Sequence, residues 1–244
     1  MKTVGNFFYQ VYKWIVFIPV FAIASVVFSL GAALLAMLIS PRVGSLSGVM
    51  WAKTVAFFTP MRVAVTGREH ITKGQSYVIV ANHQSAYDIF ALYGFLGIDF
   101  RWIMKKELRH AFGIGPASAR VGHIFIDRSS PKAAYDSIKE AKNKLVKGTS
   151  VVVFPEGTRS DSNTVRRFKS GAFKIAEDLE LPILPVTIKD THKIYRGKGV
   201  DVKPGRVSIT INPCINTVGY KGDIKTLMEV TREALIQPIK EYNQ

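Results

Sequence analysis

Ser76-Tyr77-Val78-Ile79-Val80-Ala81-Asn82-His83-Gln84-Ser85-Ala86-Tyr87-Asp88 is the stretch on which the fold turns. Ser76–Ala81 is apolar without alternation, the pattern of a strand buried on both faces. A polar loop follows, and a helix is predicted from about Tyr87. The same alternation recurs down the chain. Phe100–Met104, His123–Ile126, Ser150–Phe154, Ile183–Ile188 and Arg206–Ile211 read as strands; Pro155 closes the third of these. Lys132–Lys147 reads as an amphipathic helix with Ala134, Ile138, Ala141 and Leu145 on one face, ended by Gly148. Phe168–Leu179 and Thr226–Ile236 complete the predicted helices. Strands alternating with helices predict an α/β domain with a mostly parallel central sheet flanked by helices.

The amino-terminal part follows a different pattern. Its first 60 residues carry four cations (Lys2, Lys13, Arg42, Lys53) and no acid, and the first acid is Glu69. Nothing between Trp14 and Pro41 is charged, a run long enough for the roughly 20 apolar residues that a spanning helix needs. A cleaved signal peptide has a shorter core. Ser47–Phe58 forms a second apolar segment, in which Trp51 and Lys53 suit a lipid–water interface. Residues 1–60 are therefore expected to form a two-helix membrane anchor, and residues 61–244 the catalytic domain. Three poses stay open for the long run: spanning the bilayer, dipping as a hairpin into one leaflet, or packing as a core helix. The flanking cations do not choose between the first two, because two lie on each side.

Over all 244 residues, 33 Lys and Arg face 18 Asp and Glu, a formal net charge of +15, and 48% of residues are hydrophobic. The apolar fraction excludes disorder. One cysteine, Cys214, excludes an intrachain disulfide framework and a cysteine zinc cluster. The charge calls for an anionic partner: nucleic acid, anionic lipid or a phosphorylated substrate.

In an α/β domain, ligands collect in the loops beyond the carboxyl ends of the strands. The first such loop holds His83 and Asp88. Five helical steps of about 100° would leave them roughly 140° apart, so the pair meets only if His83 sits in the loop and Asp88 in the first helical turn. Asp88 would then accept from one ring nitrogen and leave the other as a base. A helix-start carboxylate beside an unrelated histidine is the alternative. Two further strands deliver an arginine in Ile126-Asp127-Arg128 and in Phe154-Pro155-Glu156-Gly157-Thr158-Arg159. Arginines offer bidentate contacts to phosphate oxygens, although a solvated surface arginine is the alternative for each. Gly157 permits close backbone approach or a positive φ angle.

NHQSAYD (82–88), GHIFIDR (122–128), FPEGTRS (154–160) and LPILPVTI (181–188), in this order, resemble the four motifs of the glycerolipid acyltransferase family. Within it the chain is most similar to the 1-acyl-sn-glycerol-3-phosphate, or lysophosphatidic acid, acyltransferases. Lys105-Lys106-Glu107-Leu108 and Arg167-Phe168-Lys169-Ser170-Gly171-Ala172-Phe173 resemble the same subgroup. The resemblance implies that His83 is a general base toward the sn-2 hydroxyl of lysophosphatidic acid, oriented by Asp88. An acyl-CoA or acyl-carrier-protein thioester would be the donor. Arg128 and Arg159 would hold the acceptor phosphate, Glu156 and Gly157 would contact the glycerol phosphate, and Lys105 with the Ser170–Gly171 backbone would assist. Because the thioester supplies the activation, no metal or organic cofactor is implied. The membrane, on its cytoplasmic face, is the implied location, with membrane lipid as a partner and phosphatidic acid for phospholipid biosynthesis as the product.

The remaining histidines (His70, His110, His123, His192) lack an aspartate five residues on and read as structural. A basic binding protein is the competing class. A 28-residue uncharged run does not suit a nucleic-acid binder, and no helix-turn-helix, zinc finger or RNA-binding signature is present. Dinucleotide binding fails too, since Gly113-Ile114-Gly115 lacks its third glycine at Ser118.

Overall fold

The structure, a computed structural model, describes residues 2–111, 114–127, 129–130, 133, 137, 145, 148–197 and 199–242. Its strands are β1 (Met61–Thr66), β2 (Val78–Ala81), β3 (Phe100–Lys105), β4 (Ile124–Ile126), β5 (Ser150–Val153), β6 (Ile183–Lys189) and β7 (Gly205–Ile211). They form one sheet in the order β1-β7-β6-β2-β5-β3-β4. Every pairing is parallel except β6 with β7. Strands β6, β2, β5, β3 and β4 therefore share one direction, and the loops beyond them open on one side of the sheet. The expected mostly parallel α/β architecture is the observed one.

β2 sits between β5 and β6 and is buried along its whole length. Its residues divide by parity, as a pleated strand requires. Ile79 and Ala81 join a core with Leu92, Val55 and Ile209, whereas Val78 and Val80 join one with Phe173, Leu227 and Leu235. Helices cover both faces: α3 (Pro41–Phe58) and α4 (Tyr87–Phe95) on the first, α6 (Gly171–Asp178) and α8 (Ile224–Tyr242) on the second. Two shorter helices, α5 (Ile114–Val121) and α7 (Thr191–Ile194), complete the set used below.

Some elements, β1 and α5 among them, were not legible in the sequence. β1 alternates Met61, Val63 and Val65 with Arg62, Ala64 and Thr66, an edge strand whose outer positions disguise it. α5 is short and opens on Gly115 and Pro116. The predicted helix Lys132–Lys147 lies almost entirely outside the described residues. The predicted start of α6 at Phe168 moves to Gly171, because the backbone before it turns to close the loop over Pro155.

At the amino terminus, α1 (Lys2–Tyr12), a wide turn at Lys13–Phe17 and α2 (Ile18–Leu38) are contiguous. Pro19 follows the wide turn and cannot donate to a carbonyl four residues back, which accounts for the local widening. The helical stretch Phe7–Leu38 is long and apolar enough to cross a membrane. Most of its surface is uncovered; Ile23, Val26, Val27, Leu30 and Leu34 are among the exposed apolar residues.

α3 begins at Pro41, with Ser40 Oγ accepting from Val43 N at 3.2 Å. It lies between α2 and the α/β core. Toward α2, Ser47 Oγ donates to the Phe28 carbonyl at 2.7 Å, and Trp51 Nε1 donates to Ser25 Oγ at 3.1 Å. Toward the core, Ala52, Val55 and Ala56 are fully covered, and Gly48 lies against the Tyr93 ring. Gly44 makes the close approach to α2 possible. A Cβ there would stand 2.6 Å from Ala36 Cβ and 2.7 Å from the Ala32 carbonyl, and neither can move aside without shifting α2. Gly44→Leu is therefore expected to lower unfolding stability by about 1–3 kcal/mol through overpacking, measured by thermal or denaturant unfolding in detergent. Gly219→Ala, which would meet nothing within 4 Å, is the neutral control.

Candidate active site

The loop after β2 carries His83, and α4 begins four residues later. Between them the chain curls so that Asp88 Oδ2 lies 2.7 Å from His83 Nδ1. The same oxygen accepts the backbone amides of Gln84 at 2.7 Å and Ser85 at 3.0 Å. Its other oxygen, Oδ1, accepts the Thr191 hydroxyl. Asp88 is wholly buried, so its charge is held by four donors rather than by water.

A carboxylate accepts only, so Nδ1 of His83 carries the proton and Nε2 presents a lone pair. Nε2 has no hydrogen-bond partner among the described residues, and the side chain keeps some exposure to solvent. The ring stacks on Phe154, the residue following β5, with centroids 4.0 Å apart and planes 14° from parallel. Both edges and one face of the imidazole are thus defined: Asp88 behind, Phe154 alongside, and Nε2 in front. The sequence-predicted His83–Asp88 pair is formed.

Glu156 is buried, and its two oxygens are occupied by backbone donors. Oε1 accepts the His83 amide at 2.8 Å, and Oε2 accepts the Arg166 amide at 2.9 Å. Burial raises its carboxyl above the ordinary glutamate range, against the lowering pull of those two amides. The carboxylate ties the His83 loop to the 155–166 loop. A third tie is the His83 carbonyl, which accepts from Ser160 N at 2.9 Å. Gly157 has φ +73°, the left-handed conformation that its type permits, and a Cβ there would stand 3.0 Å from Lys169 Cε and Nζ.

Arg159 and Lys105 are exposed, beyond the carboxyl end of β5 and at that of β3, with no partner among the described residues. Gly171 opens α6, with open space around it. Arg128 lies outside the described residues; its neighbour Asp127 accepts from Lys106 Nζ at 3.2 Å and from Ser129 N at 2.9 Å. Those hydrogen bonds hold the Asp127 carboxyl down at about 2.

Several participants have no local signal in the sequence. Asn82 reaches across to β6, donating to the Ile188 carbonyl at 2.8 Å and accepting Ile188 N at 2.7 Å. Gln84 Nε2 donates to Ile188 O at 2.9 Å and Asn163 Oδ1 at 2.8 Å, so its Oε1 faces His192 Nδ1 at 3.1 Å. Thr191 and His192 come from a segment more than 100 residues distant, and only the parallel pairing of β2 with β6 brings them here. Lys169, over Gly157, is a further cation whose position the sequence did not disclose. His70, which meets the Ile211 carbonyl at 2.9 Å, and His123, whose Nδ1 accepts Trp102 N at 3.3 Å, are structural as expected.

Comparison with known proteins gives a consistent set. A family model described as Acyltransferase matches residues 62–189. The 1-acyl-sn-glycerol-3-phosphate acyltransferase alpha of Ovis aries is 32% identical over 191 residues, covering 78% of this chain and 67% of the relative. The 1-acyl-sn-glycerol-3-phosphate acyltransferase of Saccharomyces cerevisiae is 29% identical over 251 residues, covering 99% and 80%. Among solved structures, the 1-acyl-sn-glycerophosphate (LPA) acyltransferase PlsC of Thermotoga maritima superposes with a TM-score of 0.82 at 25% identity, covering 100% of this chain and 98% of that one.

Burial lowers the His192 pKa below the ordinary imidazole value of about 6.5, so this ring is neutral when packed against Gln84. Its stabilising contribution is then complete above that ordinary value and is lost as pH falls through the lowered one. In melts across pH 4–8, His192→Gln is expected to show a smaller loss of Tm on the acid side than the unmodified protein.

Proposed function

From the premise that this chain belongs to the acyltransferase family, we propose that it moves a fatty acyl group from a thioester to the sn-2 hydroxyl of 1-acylglycerol 3-phosphate, giving phosphatidic acid. The observation that carries the reading is the His83 ring, tethered at Nδ1 by a buried carboxylate and free at Nε2. The relatives' names supply the acceptor class.

In the proposed reaction, Nε2 takes the proton of the sn-2 hydroxyl as its oxygen attacks the thioester carbonyl. The C–O bond forms, the C–S bond breaks, and the thiolate leaves with the proton that the imidazolium returns. Asp88 stabilises the imidazolium while it exists. General-base assistance of this kind contributes on the order of 10²–10⁴ in rate. The thioester is already activated, so the reaction needs no cofactor, and either acyl-CoA or an acyl-carrier-protein thioester meets the chemical requirement.

Arg159 is the proposed phosphate ligand, joined by Arg128, with Lys105 assisting. Their task is positional: a phosphate held one glycerol length from Nε2 presents the hydroxyl to the base, and such orientation lowers the barrier. Glu156 is read as the residue that fixes the His83 loop, because both its oxygens are engaged by backbone amides. Gly171 contributes open space on the acceptor side, and Gly157 lets Lys169 come close to the loop that carries Arg159.

Membrane association is supported by the apolar outer surface of Phe7–Leu38. Along α2, Ser25, Phe28, Ala32 and Ala36 are engaged by α3, whose opposite face is catalytic core. A helix fastened in that way cannot cross a bilayer without drawing the domain after it. The proposed pose is therefore parallel to the surface in the cytoplasmic leaflet, with the cationic domain facing anionic headgroups.

Purified protein assayed with one thioester donor and a panel of acceptors tests the whole reading. Transfer to lysophosphatidate is expected to exceed transfer to glycerol 3-phosphate and to lysophospholipids with larger headgroups, and His83→Ala to lower kcat by about 10²–10⁴. Unchanged transfer in that variant would falsify the base assignment. Arg159→Ala should raise KM for the phosphorylated acceptor far more than kcat falls; an equal effect on an uncharged acceptor excludes the phosphate role. Thr191→Val, which deletes one of four donors to Asp88, is expected to lower kcat about tenfold with KM little changed, and Thr191→Ser to recover most of it.

A further inference from the structure

A cavity of about 860 Å³, within the range of small-molecule sites, lies beside α3 and shares no residue with the His83 site. It is bounded by α3, the start of β1, the carboxyl end of α4 and the Asp99–Phe100 start of β3. That end of β3 is opposite the one bearing Lys105.

α3 has three faces. Gly44, Ser47 and Trp51 meet α2; Gly48, Ala52 and Val55 meet the core. The third stripe, Leu46, Val49, Lys53 and Phe57, follows helical spacing and lines this cavity. Leu46 and Phe57 are also more than half exposed, so the stripe is open to whatever surrounds the domain.

The charge in the cavity is lopsided. Four cations line it, Arg42, Lys53, Arg62 and Arg68, against one carboxylate, Asp99. Asp99 is already neutralised by Arg101 at 2.6 Å and accepts from Ser45 Oγ at 3.1 Å. Arg68 is committed to the last carbonyls of α4, with Nη1 2.9 Å from Leu96 O and Nη2 2.7 Å from Phe95 O. Arg42 is exposed and 4.0 Å from Asp99. Lys53 and Arg62 are exposed and have no partner among the described residues. An exposed apolar wall beside Lys53 and Arg62, which have no partner among the described residues, matches an amphiphile with an anionic head.

We propose that this groove binds one anionic phospholipid of the bilayer, with its headgroup phosphate at Lys53, Arg62 and Arg42 and an acyl chain along Leu46, Val49 and Phe57. It is a second lipid site, separate from the acceptor site, and ties the enzyme's position on the surface to the anionic lipid of that leaflet. Because Arg62 is on β1 and Lys53 on α3, an occupant bridges the anchor-bearing helix and the sheet edge.

The test uses the full-length protein in nonionic detergent micelles doped with phosphatidylglycerol carrying a photoreactive diazirine in one acyl chain. After irradiation, labelled peptides are mapped by mass spectrometry. Labelling is expected to concentrate within residues 46–63 and to exceed that from the matching phosphatidylcholine probe about 30-fold or more, as two or three nearby cations at about 1 kcal/mol each predict. Lys53→Gln with Arg62→Gln should reduce it to the phosphatidylcholine level; both side chains are exposed, and an unchanged far-ultraviolet circular dichroism spectrum verifies the fold. His83→Ala should leave it unaltered. Labelling confined to residues 7–39, equal labelling by the zwitterionic probe, no labelling, or complete displacement by millimolar inorganic phosphate would each overturn the proposal, the last by reducing the site to an anion hole.

Discussion

Everything around the site depends on keeping one carboxylate, Asp88, out of water. Removing an ion of that size from solvent costs several kcal/mol even after the protein relaxes. Hydrogen bonds to a charged group return about 1.5–3 kcal/mol each. Four donors converge on Asp88, from the His83 ring, two loop amides and Thr191. Those donors come from the β2–α4 loop and from the turn after β6, so solvation of one residue fixes how two loops face each other. Where the histidine sits is a consequence of that constraint, since its Nδ1 proton is one of the four donors.

A parallel sheet makes the arrangement possible. With β6, β2 and β5 running the same way, the loops beyond them emerge side by side. Each adjacent pair is then laced by a side chain with two bonding atoms. Asn82 laces β2 to β6 through both hydrogen bonds of Ile188, and Glu156 laces the β2 loop to the β5 loop through two backbone amides. Asn163 joins in from the long loop, accepting from Gln84 and Asp190 N while donating to the Asp190 carboxylate at 2.9 Å. Buried polar networks of this kind are rigid only when every member is satisfied, and here the pairing is mutual throughout.

The amino-terminal helices show the same economy on the apolar side. α3 takes part in two interfaces and one groove: Gly44, Ser47 and Trp51 meet α2, and Gly48, Ala52 and Val55 meet the core. The high charge of the chain is consistent with this division. Arg159 and Lys105 at the site, and Lys53 and Arg62 along the groove, are exposed cations whose proposed partners are substrate phosphate and anionic headgroups.

The sequence by itself determined the class of fold and most of the strands, and it marked His83 and Asp88 as a candidate pair. Those features are written in local patterns: unbroken apolar runs, a polar loop at a strand end, and a spacing of five that a single loop-to-helix turn can close. It also marked Gly157, whose positive φ follows from the residue type in a tight loop. Tertiary structure alone decided the rest. Thr191, His192 and Asn163 enter the site only because β6 pairs beside β2, a non-local choice that leaves no trace in neighbouring residues. Glu156 was legible as a polar residue in the right loop, but that both its oxygens hold backbone amides depends on how two loops fold against each other. α3 is apolar in sequence, but which of its faces meets the core, the one turned to Tyr93 and Leu92, is decided by packing. Composition records how apolar a helix is; which side of it is covered is decided only by what it packs against.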